Sequence, residues 1–181
     1  MSIKSLLCDE NIDNKINIYG WVRTVRSSSS TFGFCNVNDG SNVNGIQIII
    51  NEEHMELSKV DFFLKNVYTG TYLNCNGKLI NSPAEGQKYE LILYDYNIVG
   101  FINPLEYPLV KGKMTLDTLR GYIHLRPRTN TFGSVFRIRS SLMKILHDFY
   151  HSKGYLHLDP NIITTNECEG GAGVFQITEK D

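Results

Sequence analysis

The sequence predicts a mainly β protein in its first hundred residues, a small five-stranded barrel, followed by an α+β segment. Three observations carry that expectation. Five runs rich in β-branched and aromatic residues precede position 100, with one helical pattern between the third and fourth. A stretch around residues 101–114 has two prolines, a glycine and no sustained periodicity. Beyond it, one apolar stripe recurs over four helical turns.

The elements follow in order. INIYGWVRTVR (Ile16–Arg26) alternates as a half-buried strand does, and SSSS turns the chain into TFGFCNV (Thr31–Val37). NDGSN (Asn38–Asn42) is a hairpin signal leading to IQIII (Ile46–Ile50). Glu52–Val67 reads as a helix, with acids at its start and Met55, Val60, Phe63, Leu64 and Val67 at helical spacing. TYLNCNGKLI (Thr71–Ile80) and KYELILYDYNIV (Lys88–Val99) are two further strands, joined by a turn holding Pro83 and Gly86. The 18 Ile, 17 Asn and 2 Ala are what AT-rich coding produces, so isoleucine runs weigh less as strand signals than usual. The order β-β-β-α-β-β is that of an OB-fold, in which barrel closure removes exposed strand edges and the helix plugs one end; other small barrels share the strand count.

Past the break, assigned here as a linker over 101–114, Thr115–Ile123 reads as a short helix. Pro127 and Gly133 interrupt regular structure within HLRPRTNTFG. Val135, Ile138, Leu142, Ile145, Leu146 and Phe149 then form the stripe of a long helix that Gly154 stops, and YLHLDP (Tyr155–Pro160) reads as a strand. Such a stripe, left uncovered, predicts association with a partner.

Composition narrows the function. The formal net charge of -1 advertises no polyanionic partner, and residues 1–99 are acidic, with 8 basic and 11 acidic side chains. A non-specific nucleic-acid binder needs clustered Lys and Arg, so binding here must use few, base-directed contacts. No apolar run is long enough for a membrane span. The opening MSIKSLLCDENIDNK lacks a signal-like core, and Cys8, Cys35, Cys75 and Cys168 form no CxxC. A cytoplasmic chain with reduced thiols and no metal site is expected.

Single-stranded RNA recognition by such a barrel needs an exposed ring, a cation and amide or carboxylate groups on strands one to three. Trp21, Arg23, Arg26, Phe32, Phe34, Asn44, Gln47 and Glu90 are placed for it, and Phe32, Phe34 and Asn36 share a face. Core filling is the competing role for the two phenylalanines. His147 and His151 are four apart on one helix but lack a third ligand and the HExxH pattern. CEGGAG (Cys168–Gly173) lacks the GK[ST] ending of a phosphate loop, and Glu167 and Glu169 read as solvated. Arg120, Arg126, Arg128, Arg137 and Arg139 lie in twenty residues without an acid, free to meet RNA, nucleotide or distant acids.

Taken together the segments resemble asparaginyl-tRNA synthetase, a class IIb aminoacyl-tRNA synthetase family. GWVRTVRSSSSTFGFCNVNDGS (Gly20–Ser41) is similar to that family's anticodon-binding barrel, and HLRPRTNTFGSVFRIRS (His124–Ser140) to the segment introducing its catalytic domain. The helix ending at Gly154 with the strand to Pro160 resembles class II motif 1, and ITTNECEGGAGVF (Ile163–Phe175) the mobile loop over the amino acid. The resemblance implies an OB-fold anticodon-binding domain at 1–100, a hinge at 101–114 and the start of a catalytic domain at 115–181.

By position, the resemblance implies that Phe34 stacks on an anticodon base, Gln47 reads the central uridine, and Arg26 and Glu90 face the same bases. Glu169 would hold the substrate α-ammonium, and Gly154 and Pro160 would belong to a homodimer interface. EGGAGVF departs from the EGAGEMF form of bacterial members. The partners implied are the tRNA(Asn) anticodon stem-loop and, for the complete enzyme, asparagine and ATP with Mg²⁺. These residues hold no counterpart of motif 2 or motif 3, so the 181-residue chain is expected to be catalytically silent alone. Aspartyl-tRNA synthetase is the nearest alternative, and a stand-alone OB-fold RNA-binding protein is another.

Overall fold

Side chains alternate across a strand, so a closed sheet sends every second residue to its core. In this computed structural model, which describes residues 2–8, 15–109, 112, 114–165, 170, 173, 175, 177 and 178, that alternation builds a five-stranded barrel. The strands are β1 (Lys15–Ser27), β2 (Phe32–Asn38), β3 (Ile46–Asn51), β4 (Tyr72–Asn81) and β5 (Tyr89–Gly100). Around the barrel they run β1-β2-β3-β5-β4, and β4 closes onto β1. Only the β3–β5 pair is parallel. Each predicted strand of the barrel lies within a residue or two of its observed place.

The interior is apolar. Ile18, Val22, Cys35, Val37, Ile46, Ile48, Ile50, Leu73, Cys75, Leu79, Leu91 and Leu93 all point inward. Helix α2 (Leu57–Asn66) adds Val60 and Phe63 to this core, as its spacing predicts. It begins at Leu57, not at Glu52, because 52–54 form a turn. A short helix α1 (Ile3–Cys8) was not foreseen; it buries Ile3 and Leu6 in the same core. Its first turn is tied down by Asp39 Oδ2, which accepts from Ile3 N at 2.8 Å, and Ser41 Oγ, which accepts from Lys4 N at 2.9 Å. The NDGSN turn thus joins two strands and anchors a helix.

β1 is long enough to pair with β4 through Lys15–Trp21 and with β2 through Trp21–Ser27. The register with β2 slips between Val22 and Thr24, which makes Arg23 the extra residue of a bulge. The bulge inverts the parity of the strand. Ile18 and Val22 point inward before it, whereas after it Val25 packs on the core and Thr24 and Arg26 face outward.

Beyond β5, Tyr107 covers Gly70, where a Cβ would lie 2.6 Å from the ring, and Gly70 takes φ +96°. Only glycine fits there. Leu109, Leu119 and Leu125 form a second small cluster with Tyr107, Met114, Tyr122 and Phe132. Helix α3 (Leu116–Gly121) begins at Thr115, whose side chain accepts from Thr118 N. A 3₁₀ turn spans Arg126–Arg128, and α4 runs Asn130–Ser152. Gly133 does not interrupt α4, contrary to expectation: only Pro127 precedes it outside the helix, and a single glycine costs about 1 kcal/mol there.

The described residues fall into two compact units, divided between Arg137 and Ile138. In the second, Gly154 ends α4 at φ +85°, as expected of a helix stop. Tyr155–Pro160 is not a strand. A strand needs a ladder partner, and none of the described residues pairs with it. The α4 stripe has no buried residue, and Ile138, Leu142, Ile145, Leu146 and Phe149 are all exposed. His147 packs beside His157, ring centroids 4.3 Å apart and the planes tilted by 51°. No described helix is long and apolar enough to cross a membrane.

Two outcomes follow from the packing. Phe63 is fully buried and Phe62 half-exposed, so Phe63→Ala should lower unfolding free energy by about 3–5 kcal/mol and Phe62→Ala by about 0.5 kcal/mol or less in urea titrations. Burial pushes the Cys75 thiol up to about 12 and raises Cys35 as well, while Cys8 is exposed. At pH 8 a disulfide reagent should label Cys8 in the native chain but reach Cys35 and Cys75 only after unfolding, as peptide mass mapping would show.

Candidate nucleic-acid interface

The outer wall of β1, β2 and β3 is polar where the inner wall is apolar. Cross-strand register places Thr24, Asn36, Gln47 and Glu90 in one row over β1, β2, β3 and β5. Arg26, Phe34 and Ile49 form the next row. A groove of about 650 Å³ lies on this wall. Phe34, Gln47, Arg26 and Arg23 line it together with Asn36, Asn44 and Asn130.

Phe34 is half-buried and does not fill the core; Phe32 meets it edge to face at 5.0 Å between centroids and fixes its tilt. Arg26 is exposed at the mouth. Asn36 Nδ2 donates to the Asn44 carbonyl at 3.0 Å, which holds the β2–β3 loop against the wall. Gln47 is half-buried, and its Nε2 donates to Glu90 Oε1 at 3.2 Å. Glu90 is 2% exposed and does not line the groove. Ser82 Oγ donates to the same oxygen at 2.7 Å, and Gln87 Nε2 donates to it too. The structure therefore brings Arg26, Phe34 and Gln47 to one surface, with Glu90 beneath it. Glu169 lies outside the described residues; Gly154 and Pro160 lie in the second unit, remote in sequence from this wall.

The arginine-rich segment has a use that spacing could not reveal. Arg23, aimed sideways by the bulge, donates to the Arg128 carbonyl and to Asn130 Oδ1 at 2.5 Å. Burial pulls its guanidinium down from its ordinary value, only partly opposed by Tyr107, yet an arginine remains a cation. Arg128 lies over the Trp21 ring at 4.7 Å, and Arg137 donates to the carbonyls of Gly40 and Asn42 at 2.6 and 2.9 Å. Arg126 lies 5.4 Å from the Phe132 ring. Carbonyls and rings receive these four cations, whereas Arg120 pairs with the Asp117 carboxylate at 2.5 Å. Ser82, Gln87 and Asn130 are the participants that sequence reasoning missed, since each reaches the wall from a loop or helix end whose path no local pattern encodes.

Wide polar grooves with one ring and separated cations suit a few unstacked bases and their phosphates. Among the described residues, no three His, Cys, Asp or Glu side chains converge as metal ligands.

Residues 16–99 match the model of the OB-fold nucleic acid binding domain, tRNA anticodon type. The chain is 39% identical over 177 residues, 98% of its length, to a protein of Borreliella burgdorferi named asparagine–tRNA ligase. It spans 38% of that relative's length. Among solved structures, asparaginyl-tRNA synthetase of Pyrococcus horikoshii complexed with asparaginyl-adenylate has a TM-score of 0.75 at 17% identity, covering 93% of this chain and 38% of that one. Aspartyl-tRNA synthetase of Entamoeba histolytica has a TM-score of 0.70 at 18% identity, covering 90% and 39%, so the fold alone does not choose between the two. By sequence, nearly the whole chain is similar to proteins named asparagine–tRNA ligase, and residues 16–99 form an OB-fold barrel of the anticodon-binding type.

Proposed function

We propose that the barrel binds the anticodon loop of tRNA(Asn) as part of an asparagine–tRNA ligase. The groove on the β1–β3 wall carries this reading, because it places Phe34, Gln47 and Arg26 within one cavity. Phe34 offers its face to an unstacked base, and Gln47 meets the central uridine. Arg26 neutralises a nearby phosphate. Arg23, already holding Asn130, links the groove wall to the start of α4.

The complete enzyme would activate asparagine with ATP as an asparaginyl-adenylate, with Mg²⁺ offsetting phosphate charge, and Glu169 would hold the α-ammonium. The supporting observations are the kinship with asparagine–tRNA ligases and the fold shared with an adenylate-bound synthetase. Homodimerisation through α4 and the segment Gly154 to Pro160 belongs to the same reading, supported by the exposed apolar stripe of α4. Cytoplasmic residence follows from the same function.

Titrating the chain with labelled anticodon stem-loops should show weak binding that depends on the anticodon. Phe34→Ala should cost about 1–3 kcal/mol of that affinity. Equal affinity for scrambled anticodons would contradict sequence reading and favour a generic RNA binder. A polypeptide of these 181 residues, lacking counterparts of motifs 2 and 3, should support no asparagine-dependent exchange of pyrophosphate into ATP. Measurable exchange would contradict that expectation.

A further inference from the structure

We propose that Glu90 is a positioning residue that sets the orientation of the Gln47 amide, so that the groove presents a carbonyl oxygen selecting a base with a ring N–H. The inference rests on the reading above, in which Gln47 meets a base. A glutamine amide has two faces of opposite character, an acceptor oxygen and a donor nitrogen. Left free, it flips between them and accepts a pyrimidine with a ring N–H or one with a bare ring nitrogen. A carboxylate only accepts. Facing Gln47 across the parallel β3–β5 pair, Glu90 takes the Nε2 proton and leaves Oε1 for the groove.

The surroundings of Glu90 suit this task better than direct contact with a ligand. It is 2% exposed and absent from the groove lining, whereas Gln47 lines it. Its Oε1 also receives Ser82 Oγ at 2.7 Å and Gln87 Nε2, and Gln87 Nε2 lies 3.1 Å from Ser82 Oγ. Three neutral donors therefore converge on one oxygen, and two come from the β4–β5 connection. Turning the Gln47 amide over would set two acceptors against each other with no proton between them, against a carboxylate that is 2% exposed. The oxygen left facing the groove accepts the N3–H of uracil. Cytosine carries a bare N3 at that place and is rejected by the same geometry.

Glu90→Gln tests it, since an amide at position 90 meets either orientation of Gln47 with nearly unchanged volume. Anisotropy titrations would use stem-loops with uridine or cytidine at the central anticodon position. The unsubstituted chain should prefer uridine, and E90Q should reduce that preference by about tenfold, mainly by gaining affinity for cytidine. In a Gln47→Met background, E90Q should change nothing. An unchanged preference in E90Q, or a loss that falls on the first anticodon base instead, would overturn the proposal. Absence of any uridine preference in the unsubstituted chain would overturn the parent reading along with it. A second measurement needs no variant: the Glu90-facing side-chain amide proton of Gln47 should resonate downfield of its position in the unfolded chain and stay there on adding the uridine loop. The same position as in the unfolded chain would contradict a fixed amide.

Discussion

Closing a β-sheet on itself leaves each residue one of two places, the core or the outer wall, and a single bulge in β1 decides which of them its cations occupy. Before the bulge, Ile18 and Val22 point inward; after it, Val25 does, and Arg26 turns out beside Phe34. Had β1 run through Arg23 in regular alternation, with no bulge, Arg26 would share the face of Val22 and enter a core of Ile, Leu and Val. An unpaired guanidinium buried there would cost several kcal/mol, which the bulge avoids. Arg23 itself, left out of the alternation, is free to reach the Arg128 carbonyl and Asn130. One inserted residue thus supplies both the cation of the groove mouth and the clasp of its back wall.

The groove's polar members are held in position before any ligand arrives. Phe32 tilts Phe34, Asn44 holds Asn36, and Glu90 holds Gln47. Preorganisation of this kind matters for a surface with little net positive charge, because affinity cannot come from many phosphates. The arginines of residues 126–137 keep their charge, since the partners shown are neutral, but their guanidinium groups are already engaged. Arg128 is spent on Trp21, and Arg137 on two loop carbonyls. Their work is to fasten the start of α4 and the segment before it to the barrel.

Much of this was legible in the residues, and the exceptions share a cause. Alternation in TFGFCNV put Phe32, Phe34 and Asn36 on one face because a period of two needs no knowledge of neighbours, but it left open which face, and the resemblance turned Phe34 and Gln47 outward. The spacing of Val60 and Phe63 placed α2 on the core for the same reason. The bulge at Arg23 was not legible, since it is defined by the partner strand's register. Nor was the burial of Glu90, which depends on Ser82 and Gln87 folding back from a connection of turn residues. The Tyr155–Pro160 segment shows the converse: strand-like composition makes no strand without a neighbour to bond. Helix α1 escaped notice because six residues carry too little periodicity, and its anchor, Asp39, lies 36 positions away.

The central claim is that the outer wall of β1–β3 receives unpaired bases. Backbone amide shifts of the isotopically labelled chain, followed as a tRNA(Asn) anticodon stem-loop is added, test it most directly. The account predicts the largest changes at Arg26, Phe34, Asn36 and Gln47, with Tyr19, Tyr72 and Asn74 on the β1–β4 wall unmoved. Changes centred on that opposite wall, with residues 26–47 silent, would contradict it.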